Sequence, residues 1–179
     1  LSPNTADFET LALVKPTVAF LSYGMTAALE GGEGGIAKYK ADMGKLMDAI
    51  EEVSGQKVRF VLLGPTAFEL WMSGADEKNR IFRLYEQATQ QLADARQAHS
   101  ILLMNAWPEL AFETGPKIVH DRTDDGIHLR PMGQNLIATY IQSRLGIPFR
   151  DTGPTMLIPP TAEQRAAMDR YLTEEKNPN

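Results

Sequence analysis

A three-layer α/β/α sandwich built on a parallel, flavodoxin-like sheet is the fold class that three features of this sequence predict. Short strand-forming runs alternate with amphipathic helical stretches up to about residue 146. The strand runs are continuously apolar rather than alternating, as suits strands covered on both faces. Each run also stops at a glycine or a turn-forming residue, so chemistry carried by the fold would gather at the carboxyl ends of the strands. Residues 147–179 read as a proline-rich extension with a short final helix opened by a capping box, Thr161-x-x-Gln164.

The elements follow in order. Residues 5–14 suit a short helix with Leu11 and Val14 inward, stopped by Lys15-Pro16. Residues 17–23 form the first strand, expected to be buried on both faces and ended by Gly24. Gly31-Gly32-Glu33-Gly34-Gly35 reads as a flexible loop; its spacing fits neither phosphate-binding fingerprint. Over 36–53, Ile36, Tyr39, Met43, Leu46, Met47, Ile50 and Val53 recur every three or four residues, so they share one stripe of a helix and the methionines are core. The second strand covers 57–63, before Gly64-Pro65-Thr66, and a loop over 68–74 carries Trp71. A long helix over 76–98 turns Ile81, Tyr85, Ala88, Leu92 and Ala95 inward, with His99 at its C-terminus as a structural imidazole. A third strand over 100–105 leads into a long connection that contains Trp107 and His120, the latter read as a solvated loop histidine. A last core helix starts at Pro131, packs through Leu136, Ile137, Tyr140, Ile141 and Leu145, and ends at Gly146.

Composition narrows the function. The chain has 179 residues, a net charge of −5 and scattered Lys and Arg, so it carries no basic footprint for nucleic acid or anionic lipid. A small-molecule partner fits better. The absence of cysteine removes thiolate nucleophiles and zinc–thiolate sites, and no run is long enough for a membrane span. No cofactor or metal is expected. The first residues, Leu1-Ser2-Pro3-Asn4-Thr5, lack an initiator methionine and a basic leader, so the chain reads as processed or truncated. The sequence itself fixes no compartment; an extracytoplasmic one, secreted or periplasmic, is the expectation.

One stretch carries chemistry: Thr123-Asp124-Asp125-Gly126-Ile127-His128-Leu129. Asp125 and His128 stand three residues apart around a glycine, so a tight turn would fold the carboxylate onto the imidazole. A carboxylate on one ring nitrogen fixes the tautomer and leaves the other free to accept a proton from a nucleophile. The same residues also read as plain turn chemistry with a surface histidine.

The run Phe20-Leu21-Ser22-Tyr23-Gly24-Met25-Thr26-Ala27-Ala28, with Leu63-Gly64-Pro65-Thr66 and then Asp125-Gly126-Ile127-His128-Leu129, resembles the SGNH (GDSL-type) hydrolases from about Lys15 to Gly146. The resemblance implies the SGNH hydrolase fold and ester hydrolysis through a Ser-His-Asp triad, with His128 as base, Asp125 orienting it, and the Gly24 N–H in the oxyanion hole. The family's asparagine donor to the oxyanion falls at Thr26 here. Its Gly-Asp-Ser nucleophile block would lie upstream of residue 1, and none of Ser2, Ser22, Ser54, Ser73, Ser100 or Ser143 sits in such a nucleophile turn. The resemblance therefore implies an esterase acting on a small-molecule or O-acetylated carbohydrate ester, with the serine on an N-terminal fragment outside this chain. The alternatives are a degenerate relative that binds a ligand or glycan without turnover, and an unrelated flavodoxin-like domain.

Overall fold

The structure is a computed structural model that describes residues 5–69, 72–106 and 122–147. Trp71, His120, the greater part of the long connection and the extension beyond 147 lie outside the described residues. Three strands, β1 (Val18–Leu21), β2 (Arg59–Leu63) and β3 (His99–Ile101), form a parallel sheet in the order β1-β2-β3. Val18 is in register with Arg59 and Val61 with His99, so the central strand is β2. The helices are α1 (Thr5–Val14), α2 (Met25–Gly31), α3 (Ile36–Ser54), α4 (Ala75–Arg96) and α5 (Pro131–Arg144).

Alternate residues of each strand point to opposite faces, and each face meets a different helical layer. On one side Leu21, Phe60 and Leu62 pack with Tyr39, Met43 and Met47 of α3 and Phe82, Tyr85 and Leu92 of α4. On the other, Val61, Leu63 and Ile101 pack with Ile137 and Tyr140 of α5. Helices on both faces of a parallel sheet make the three-layer α/β/α arrangement.

Several local expectations are corrected. Val14 is exposed whereas Leu11 of α1 packs on the core, because the helix ends there and Lys15 takes a left-handed backbone (φ 47°) that turns the chain away. β1 is not covered on both faces: Phe20 is 50% exposed, and among the described residues the strand lies at the edge of the sheet. Residues 103–105 form a 3-10 turn rather than more of the third strand. His99 is the first residue of β3 and not a helix end, since α4 already stops at Arg96 and Gln97 caps it with φ 54°. Ala95 is exposed, whereas Phe82 and Thr89 of the same helix are fully buried.

The glycine run is not a loose loop either. Gly31 closes α2, and residues 33–35 form a 3-10 turn into α3. The buried Tyr85 hydroxyl reaches across from α4 and shares its one proton between the carbonyls of Ala27 and Gly32, both at 3.0 Å. A Cβ on Gly35 would overlap that hydroxyl, so only glycine fits the approach.

Candidate functional site

Asp125 and His128 meet in a turn that its own backbone fixes. Thr123 and Leu129 form an isolated antiparallel bridge, with the Asp124 N–H donating to the His128 carbonyl at 2.9 Å and the Arg130 N–H to the Arg122 carbonyl at 2.8 Å. Inside this loop Asp125 Oδ1 accepts from the N–H groups of Ile127 (3.1 Å) and His128 (2.9 Å), the local pattern by which a short acidic side chain shapes a turn. The remaining oxygen, Oδ2, stands 2.7 Å from His128 Nδ1. These contacts, the His128 backbone N–H first and its ring second, hold the Asp125 carboxyl down at about 2, so it is ionised wherever the protein is folded at ordinary pH.

Gly126 makes the geometry obligatory. Its φ of 89° suits glycine, and a Cβ would lie 2.9 Å from Phe68 Cζ and 3.0 Å from Met72 Cγ. Phe68 is buried, and Asn79 of α4 grips its backbone twice: Oδ1 accepts the Phe68 N–H at 2.7 Å and Nδ2 donates to its carbonyl at 2.8 Å. The Glu69 N–H donates to the Gly126 carbonyl at 3.2 Å. Beneath the turn, Gly133 at the start of α5 packs directly on the Arg122 carbonyl, where a Cβ would clash. Sequence reasoning missed this platform of Phe68, Asn79 and Gly133, and it missed the buried Glu69 and Arg122 beside it. Only the buried-type residue Phe68 in an expected loop gave any signal.

The pair itself is open to solvent, with side-chain exposures of 79% for His128 and 52% for Asp125. Among the described residues, His128 Nε2 has no hydrogen-bond partner. His128 borders a cavity of about 610 Å³ at the carboxyl ends of the strands, shared with Ser22, Thr26, Gly64, Thr66 and Leu103. The hydroxyl-bearing residues on that wall are thus Ser22, Tyr23, Thr26 and Thr66, of which Thr66 is buried and the other three exposed.

Gly24 and Thr26 come from the strand-to-helix corner between β1 and α2. Gly24 has φ 121° and lies buried against the Tyr39 ring; a Cβ would meet the Tyr39 hydroxyl at 3.3 Å. That hydroxyl sits 2.8 Å from Thr89 Oγ1 and 3.2 Å from the Tyr23 carbonyl, and burial pushes its pKa up, so it stays protonated. Thr26 lines the His128 cavity, whereas Gly24 lines the neighbouring one of about 430 Å³, which shares Ser22, Tyr23, Met25 and Thr26 with the first. The larger cavity of about 940 Å³, along Val18, Phe20, Arg59 and His99, includes neither Asp125 nor His128, so volume alone does not select the site. Among the described residues no cluster of His, Asp and Glu could hold a metal ion, and no helix is long and apolar enough to cross a membrane.

A parallel sheet lies between two helical layers, with an Asp-x-x-His turn at its carboxyl rim, and the fold is that of the SGNH-type hydrolases. Solved structures carry the same likeness. An acetylxylan esterase from Geobacillus stearothermophilus, Axe2, superposes with a TM-score of 0.59 at 16% identity, over 81% of this chain and 69% of its own. A peptidoglycan O-acetylesterase gives 0.59 at 14% identity over 80% of this chain and 41% of its own. A DUF4886 family protein from Bacteroides uniformis gives 0.56 at 18% identity over 96% and 68%. Catalytic mutants of Axe2 alter a serine, an aspartate and a histidine three residues beyond that aspartate. No protein-family model and no curated protein matches the sequence.

Proposed function

We propose that this chain carries the general-base half of a serine esterase of the SGNH type, acting on an ester of an O-acetylated carbohydrate or a comparable small molecule. The observation that carries the reading is the 2.7 Å contact from Asp125 Oδ2 to His128 Nδ1, with Nε2 left open at a solvent-filled rim. The spacing of the pair equals that of the aspartate and histidine changed in the Axe2 mutants. The nucleophilic serine is taken, as part of this reading, to stand on a segment other than residues 1–179.

The chemistry follows from the placement of charge. A carboxylate that stays ionised down to about pH 2 holds the proton on Nδ1 and stabilises the imidazolium when Nε2 takes the seryl proton. The serine oxygen then attacks the ester carbonyl. His128 returns the proton to the leaving alcohol, and in the second half-reaction it activates water against the acyl-enzyme. The Gly24 N–H is the proposed oxyanion donor, and Thr26 supplies a hydroxyl where the family places an amide. Substrate would enter the cavity of about 610 Å³, whose walls mix Leu63, Leu103 and Ile127 with the hydroxyls named above.

The test is p-nitrophenyl acetate turnover with fluorophosphonate labelling, in the protein together with its serine-bearing segment. His128→Ala is expected to abolish both while leaving the unfolding midpoint unchanged, since the side chain is largely exposed. Unchanged turnover in that variant rejects the assignment. Asp125→Asn is expected to be milder in rate, by about 10²- to 10⁴-fold, because the imidazole keeps its place but loses the stabilised tautomer. Lowering pH removes the turn's ionic support only as the solution passes down through about 2, below the ordinary carboxylate range, so the pair survives mild acid.

A further inference from the structure

The peptide unit that carries the Gly24 N–H is held from behind. Gly24 takes φ 121°, and glycine has no side chain to fix how its backbone stands, so the direction of its N–H is imposed by neighbours. The Tyr23–Gly24 unit is trans, so the Tyr23 carbonyl and the Gly24 N–H share one plane and point opposite ways. The Tyr39 hydroxyl donates to that carbonyl at 3.2 Å, and its ring packs against Gly24. On the other side the Gly24 carbonyl accepts the Ala28 N–H at 2.8 Å. Both peptide units next to Gly24 are thus anchored through their carbonyls, and among the described residues the Gly24 N–H meets no acceptor.

The protons of this network can be placed. Thr89 Oγ1 carries one and donates it to the Tyr85 carbonyl at 2.8 Å. In the 2.8 Å contact between Tyr39 and Thr89 the tyrosine is therefore the donor, and its single proton is shared between Thr89 and the Tyr23 carbonyl. Tyr39, Tyr85 and Thr89 are all at 5% exposure or less, and the two tyrosine rings stand 5.1 Å apart, so packing keeps the hydroxyl in place.

Resting on the esterase reading, we infer that Tyr39 is a positioning residue for the oxyanion: through the Tyr23 carbonyl it turns the Gly24 N–H outward and polarises that amide as a donor. Gly24 lines the cavity of about 430 Å³, which shares Ser22, Tyr23, Met25 and Thr26 with the cavity of His128. A carbonyl that accepts a hydrogen bond draws charge from its own N–H, and the bond which that N–H gives is stronger for it. A donor fixed before the reaction also costs no reorganisation as charge develops.

The test compares two variants in the protein together with its serine-bearing segment. Tyr39→Phe keeps the ring and removes the anchor; kcat for p-nitrophenyl acetate is expected to fall about tenfold with KM within about twofold, since the oxyanion forms only after binding. Thr89→Val breaks the same buried network but leaves the Tyr39 proton wholly to the Tyr23 carbonyl. It is expected to lower the unfolding midpoint comparably while kcat stays within about twofold of the wild type. The Tyr23 carbonyl ¹³C resonance should move upfield in the first variant and downfield in the second. Equal losses of kcat in the two variants would reduce Tyr39 to a structural role and overturn the inference, as would an unchanged kcat in Tyr39→Phe or Tyr23 shifts of the same sign. Opposed Tyr23 shifts in a protein without turnover would leave the anchor standing but reject the esterase reading, and the oxyanion role with it, so the two failures are distinguishable.

Discussion

The two faces of the sheet are finished to different degrees. Toward α3 and α4 the packing is dense: Met43, Met47, Leu62, Phe82 and Tyr85 are all at 1% exposure or less. Toward α5, among the described residues, one helix covers β2 and β3, and Phe20 of β1 is half exposed. The densest packing therefore lies on the closed face, while the Asp125–His128 turn sits apart from it at the carboxyl rim of the sheet.

Three substitutions sharpen that contrast. Phe82→Ala should be the most damaging to folding, by about 3–5 kcal/mol in urea unfolding, because it empties a fully buried ring site on the closed face. A loss under about 1 kcal/mol would show that this face is not where the stability lies. Gly126→Ala forces a side chain onto a positive φ and into Phe68 and Met72, and should cost about 1–3 kcal/mol while displacing His128 from the cavity. Turnover in that variant should fall much further than stability. Phe20→Ser, on the open face, should lower the unfolding free energy of the isolated chain by about 1 kcal/mol, since only half of the ring is buried there to lose. A large destabilisation would mean that the edge is covered within the chain itself.

Periodicity made the long helices legible. The three- and four-residue spacing of Ile36 through Val53 corresponds to the observed α3, and the run from Pro131 to Leu145 corresponds to α5 and its packed face. The apolar runs located the strands, but they could not tell a central strand from an edge one: Val18–Leu21 reads as covered on both sides because apolarity records what a residue suits and not what stands next to it. The glycine run read as loose for a similar reason. Its rigidity comes from Tyr85, more than fifty positions further along the chain. In the candidate site, the Asp125–His128 pairing was visible because it is local, three residues apart and shaped by one glycine. The platform below it was invisible because Phe68, Asn79 and Gly133 meet only after the sheet has brought distant segments together.

Helix α4 reaches both walls of the cleft. From Asn79 it clasps Phe68, on which Gly126 rests, and from Tyr85 it pins the α2 corner through Ala27 and Gly32. The helix thus works as a common spine for two jaws that are remote in sequence. Heating should not loosen one jaw before the other, and the loss of a competent cleft on warming should coincide with the cooperative melting of this single rod.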